Sequence, residues 1–175
     1  EGLNALPVYV SSLKDAFSAS LLESLQDSAP PSIILNATGF SVSVPGARAR
    51  TPFDDTHAPV LQVVFASNTE AEWSSTMRGL SARDIAMNVA LPEVDGRILS
   101  RAVSFKDVLF TDPATETDVI GYRPVADRVD FVAALARNWV RFTGRSLMAS
   151  ASVEMTTRLI GQSIHPVHHH NGAGI

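Results

Sequence analysis

Three apolar, β-rich runs, separated by a helical pattern and a loop, most constrain what this chain can fold into. Ala5 to Leu13 reads as a buried strand that ends at Lys14 and Asp15. Asp15 can cap the next helix, where Phe17, Leu21, Leu22 and Leu25 fall at helical spacing before Pro30 and Pro31 stop it. A second strand begins at Ile33, Ile34 and Leu35 and runs into Asn36, Ala37, Thr38 and Gly39. Strand–helix–strand order favours a parallel sheet with a right-handed crossover. Ser41 to Ala58, rich in Pro, Gly, Ala and Arg, reads as an exposed loop, and Pro59 to Ala66 as a third buried strand. The predicted fold class is therefore α/β: a Rossmann-like, mostly parallel sheet with flanking helices.

The remainder supplies helix starts and one turn. Thr69 followed by Glu72 is a capping-box pattern, and Ser81 followed by Asp84 is a weaker version of it. Two tandem helices are expected, broken at Gly79 and Leu80. Asp95-Gly96 is a turn, and Arg97 to Phe105 reads as a further strand. Thr111 to Pro124, punctuated by Pro113 and Pro124, reads as a loop. From Val125, residues Val129, Val132, Leu135, Ala136, Trp139 and Val140 trace one face of a long helix, with Gly144 as its stop. No internal repeat is visible.

Composition excludes several classes. At 175 residues the chain fits one domain with a real core. A net charge of −4 argues against nucleic acid, whose phosphates require a positive surface. With no cysteine, disulfides and thiolate metal sites are ruled out, which fits a reducing cytoplasm. No apolar run approaches the ~20 residues of a membrane span. The start at Glu1-Gly2-Leu3-Asn4 is neither a start methionine nor a basic leader, and reads as an internal fragment. There is no Gly-x-x-x-x-Gly-Lys-Ser/Thr loop for ATP, no Gly-x-Ser-x-Gly elbow and no nucleophilic cysteine.

The acidic corner at Glu93 and Asp95 is the leading chemical candidate. Two carboxylates where a helix yields to a turn can bind a metal or move a proton. The alternative is that Asp95 only makes the Asp-Gly turn and Glu93 is solvated. Asn36, Thr38 and Gly39 fall just past a parallel strand's C-terminal end, where open α/β sheets form ligand crevices. They can instead satisfy their own loop. Arg78 and Arg83 suit carboxylates, or simple surface ion pairs. Trp73 and Trp139 read as core residues, and Gln62 as a structural hydrogen-bonding group. His165, His168, His169 and His170 would bind transition metals adventitiously, and His57 is an ordinary loop histidine.

Several blocks carry a resemblance: residues 2–15 (GLNALPVYVSSLKD), 34–41 (ILNATGFS), 58–64 (APVLQVV), 69–107 (TEAEWSSTMRGLSARDIAMNVALPEVDGRILSRAVSFKD) and 128–139 (RVDFVAALARNW). In this order they resemble the large, tetrapyrrole-binding subunits of cobaltochelatase and magnesium chelatase, which form one family. The continuation GRILSRAVSFKD is more like the cobalt type. Members are several times longer than this chain, so residues 1–144 resemble one α/β segment of such a subunit. Residues 145–175 depart from the pattern and read as a tail foreign to it.

The resemblance implies insertion of Co²⁺ into hydrogenobyrinic acid a,c-diamide during cobalamin synthesis, in the cytoplasm. Alternatives are a non-catalytic scaffold segment of that subunit, or a magnesium-type subunit acting on protoporphyrin. Co²⁺ is the substrate metal, and the partners are a corrinoid or porphyrin substrate and AAA-type ATPase subunits. ATP and Mg²⁺ would be used by those partners rather than bound here. Glu93 is implied as metal ligand and catalytic base with Asp95 as its helper. Asn36, Thr38, Gly39 and Arg78 would bind substrate.

Overall fold

The computed structural model describes residues 3–142 apart from 45, 76 and 78. Helix α1 (Ala16–Ser28) precedes strands β1 (Ile34–Asn36) and β2 (Val60–Ala66). Helices α2 (Glu70–Ser75) and α3 (Ala82–Ile85) follow. A π-helical turn (Ala86–Ala90) then leads without a break into α4 (Leu91–Val94). The long strand β3 (Ile98–Asp112), strand β4 (Thr117–Pro124) and helix α5 (Ala126–Phe142) complete the fold.

The sheet order is β1-β2-β3-β4, with β1–β2 and β2–β3 parallel and β3–β4 antiparallel. The expected α/β class with a mostly parallel sheet is present. Register shifts between Gln62 and Val63, between Val64 and Phe65, and between Val108 and Phe110 mark irregularities in the ladders. Such bulges increase local twist, and the sheet curls into a half-barrel.

Strand β2 is central, so both of its faces are buried. Val63 packs with Val103, Val129 and Val132, flanked by Phe65 and Tyr122. Val64 and Ala66 pack with Ala102 and Phe105, flanked by Trp73, Leu80 and Val125. The ring centroids of Trp73 and Phe105 are 5.6 Å apart, and the Arg128 guanidinium lies 3.9 Å over the Trp73 ring. Of the expected α5 stripe, Val129, Val132, Ala136 and Val140 are buried and Leu135 is half-buried, but Trp139, expected in the core, is 38% exposed at the edge of that face.

The local start signals act as the sequence predicts. Asp15 accepts the Ser18 amide at 2.8 Å. Thr69 and Glu72 complete a reciprocal capping box, at 3.1 Å from the Glu72 amide to Thr69 Oγ1 and 2.9 Å from the Thr69 amide to Glu72 Oε2. Ser81 accepts the Asp84 amide at 3.1 Å. Gly79 takes φ +66° at the expected break between helices.

Two secondary-structure expectations fail. Ala5 to Leu13 forms no strand, and within it Leu6 and Tyr9 are 66% and 56% exposed. Apolar, β-branched composition favours extended backbone, but a strand exists only through a partner, and Pro7 lacks a donor for any ladder. The helical crossover therefore links β2 to β3, while β1 reaches β2 through an irregular loop. Thr111 to Pro124 is not a loop: it holds the end of β3 and all of β4. Its prolines mark boundaries rather than interruptions, with Pro113 in the turn and Pro124 as the last residue of β4. Gly144 and the tail 145–175, with its four histidines, lie outside the described residues.

Candidate functional site

A buried polar network lies where β1 ends and β3 begins. Asn36 and Gln62 are register partners across β1–β2, so their side chains emerge side by side. Asn36 Nδ2 donates to Gln62 Oε1 at 2.7 Å and to the Thr38 carbonyl at 3.1 Å. Gln62 Nε2 donates to the same carbonyl at 3.0 Å. The Thr38 hydroxyl donates back to Asn36 Oδ1 at 3.0 Å. An amide pair on adjacent strands thus holds the Thr38 carbonyl against the sheet.

Arg97 closes the network from the head of β3. Its Nη1 lies 3.1 Å from the Thr38 carbonyl and 3.4 Å from Gln62 Oε1, and its Nη2 donates to Asp95 Oδ2 at 2.8 Å. Both side chains of this ion pair are almost wholly buried, at 2% and 1% exposure. Asp95 also accepts the Val42 amide at 2.7 Å and the Ser43 amide at 2.9 Å. Both of its oxygens are therefore engaged. Burial alone would raise the Asp95 pKa, but the hydrogen bonds from Ser43 and Val42 and the charge of Arg97 outweigh it. The carboxyl is held below its ordinary value and is a correspondingly weak base. Burial lowers the Arg97 pKa, and Asp95 opposes that shift. Arg97 Nε is buried without a hydrogen-bond partner.

Glu93 belongs to the same turn and meets the opposite environment. It lies in α4, exposed, and its carboxylate has no hydrogen-bond or ion-pair partner among the described residues. A hollow lined in part by Arg48, Thr51, Asp54, Asp95 and Arg97 flanks the network. Glu93 lines neither this hollow nor a second one bordered by Lys106 and Arg123. Among the described residues, no three His, Cys, Asp or Glu side chains come together to hold a metal ion.

Gly39 lies against the π-helical turn, where an added Cβ would stand 2.9 Å from Asn88 Oδ1 and 3.3 Å from the Met87 carbonyl. Glycine here serves close packing. The structure thus brings Asn36, Thr38 and Asp95 into one network, packs Gly39 beside it and leaves Glu93 outside it. Arg78 lies outside the described residues, and Arg83 is exposed. Sequence reasoning passed over Arg97, whose one signal is a cation two residues after Asp95 at the head of a strand. It also passed over Ser43, buried at 1% exposure in a segment that reads as exposed loop.

A second buried carboxylate stands at the other end of β2. Asp84 Oδ2 accepts from the Ser67 amide, the Ser67 hydroxyl and the Ser81 hydroxyl, each at 2.9 Å. It joins the end of β2 to the start of α3.

Comparison with known proteins fixes the lineage. Residues 1–146 match the family model described as CobN/Magnesium Chelatase. The chain is 54% identical over 140 residues to an aerobic cobaltochelatase subunit CobN from Sinorhizobium sp. It is 40% identical over 139 residues to the subunit of the same name from Pseudomonas aeruginosa. Each match covers 79% of this chain but 11% of the relative, so the chain corresponds to a short segment of those subunits. The fold also matches a structure of the catalytic subunit of cobaltochelatase from Mycobacterium tuberculosis, with a TM-score of 0.57 and 23% identity. That match covers 73% of this chain and 11% of the other. On the family match and the two curated relatives, the chain belongs to the CobN/magnesium chelatase family.

Proposed function

We propose that this chain is a segment of the tetrapyrrole-binding subunit of an ATP-dependent cobaltochelatase. In this reading the whole subunit inserts Co²⁺ into hydrogenobyrinic acid a,c-diamide in the cytoplasm, during cobalamin synthesis. The observation that carries the proposal is the 54% identity to a CobN subunit across 140 residues. AAA-type partner subunits would bind and hydrolyse the ATP, with its Mg²⁺. No helix among the described residues is long and apolar enough to cross a membrane.

Insertion requires that the ion lose water and that two pyrrole N–H protons leave. An accessible carboxylate can do both, as an oxygen ligand and as a base. Glu93 is exposed and has no partner for its carboxylate among the described residues, so it can take either role once the remaining segments of the subunit supply further donors. Asp95 assists by position: its bonds to Val42, Ser43 and Arg97 fix the turn that carries Glu93. Asn36, Thr38 and Gly39 would shape the substrate loop through the backbone they hold, and Arg78 would meet a carboxylate arm of the macrocycle.

A second reading makes this segment a scaffold without a chemical role. It is favoured by the absence of Glu93 from the lining of both hollows. Glu93→Gln in the complete subunit separates the two. The catalytic reading expects tetrapyrrole binding to persist while Co²⁺ insertion slows by ~100-fold or more. Near-normal insertion by that variant would leave the scaffold. Magnesium-type chemistry is tested in parallel by offering the assembled enzyme Mg²⁺ with protoporphyrin, and Co²⁺ insertion into the corrinoid alone would exclude it.

A further inference from the structure

Phe40 is a bulky residue with φ +62°, a conformation that L side chains rarely adopt, and it is 55% exposed. Its backbone is fixed from several directions. The Phe40 amide donates to the Met87 carbonyl at 2.8 Å, and Gly39 beside it is packed against Asn88. On one side, the Thr38 carbonyl receives Asn36, Gln62 and Arg97. On the other, Asp95 holds the Val42 and Ser43 amides. Between Asn36 and Ser43 the polar side chains turn inward: Asn36, Ser41 and Ser43 are buried, and Thr38 bonds to Asn36. The bulky side chain that this stretch leaves exposed is the Phe40 phenyl ring.

Strained backbone persists where its surroundings over-determine it, and such positions cluster at ligand contacts. The loop also leaves the C-terminal end of a parallel strand, where α/β sheets place their ligands. The same Asp95 that holds the loop forms the turn after Glu93, so one buried carboxylate ties the aromatic ring's loop to the exposed acid's helix. We infer that Phe40 is a substrate-binding residue that stacks on the flat, largely apolar face of a tetrapyrrole. The inference rests on the tetrapyrrole-binding reading given above.

The test uses the complete subunit carrying Phe40→Gly or Phe40→Tyr, with hydrogenobyrinic acid a,c-diamide as probe. Affinity is read from the probe's absorption spectrum, and stability from thermal unfolding. Glycine adopts positive φ freely, so Phe40→Gly should leave Tm unchanged or raise it. Its Kd for the probe should rise about tenfold or more, the scale of a lost aromatic contact, while Phe40→Tyr binds like wild type. Wild-type affinity in Phe40→Gly overturns the inference, whether or not Tm falls, and a fall in Tm would show that the ring packs against protein. Weakened binding in both variants also overturns it, because the ring is kept in one of them. A wild-type subunit that fails to bind the probe overturns the tetrapyrrole reading itself, an outcome distinct from the others.

Discussion

Asp84 and Asp95 are both buried, at 3% and 8% exposure, and both lie in the crossover between β2 and β3, yet they are satisfied by different means. Asp84 accepts from neutral donors: the Ser67 amide and hydroxyl at the end of β2, the Ser81 hydroxyl at the helix start, and the Asn88 side-chain amide at 3.5 Å. Among the described residues no cation lies within ion-pair distance of it. Asp95 takes a guanidinium as well as two amides, and those amides belong to a loop more than fifty residues earlier in the chain. The first carboxylate joins a helix cap to the end of the preceding strand through neutral donors. The second holds together two distant segments, and a full counter-charge accompanies it because an unpaired ion there would be costly.

The largest break in this comparison should come from Arg97→Met. It leaves Asp95 charged and buried with only the Val42 and Ser43 amides to compensate it, and a loss of ~3–5 kcal/mol is expected from urea unfolding. Asp84→Ala is expected to cost less, ~1–3 kcal/mol, since it strands neutral donors and no ion. Similar losses for the two variants would show that the ion pair contributes little beyond its hydrogen bonds. The smallest effect of the three, ~1 kcal/mol, is expected from Ser81→Ala, which removes the cap while Asp84 keeps Ser67.

Acid titration sharpens the contrast further. The folded-state pKa of Asp95 is depressed, so the unfolded chain binds its proton first as pH falls. The stability this group supplies is complete above the unfolded carboxyl value of about 3.9, and is lost as pH drops through the lower folded value. Asp95→Asn should therefore flatten that part of the acid limb in a stability-versus-pH curve. An acid limb unchanged by the substitution would mean that Asp95 is not held below its ordinary value.

Residue patterns alone made much of this molecule legible. The caps at Asp15, Thr69 and Ser81, the break at Gly79, the apolar run of β2 and the buried face of α5 are local signals, and each gives the expected element. The missing strand at Ala5 to Leu13 and the unexpected strand β4 mark where local signals stop. Pairing is a relation between segments, and composition in one segment cannot report whether its partner is present.

The candidate site divides in the same way. Glu93, Asp95, Asn36, Thr38 and Gly39 stand out in the sequence as candidates from their positions beside turns and strand ends, and the resemblance to chelatase subunits pointed to the right family. The environments of Glu93 and Asp95 were not identifiable. Two carboxylates two residues apart are chemically near-equal on paper, but the fold leaves one exposed and surrounds the other with Arg97, Val42 and Ser43. The sequence by itself determined helix starts, turn chemistry and lineage, because these depend on neighbours along the chain. Only the tertiary structure decided which carboxylate is buried and that Phe40 faces outward, because burial and charge pairing depend on residues far apart in sequence.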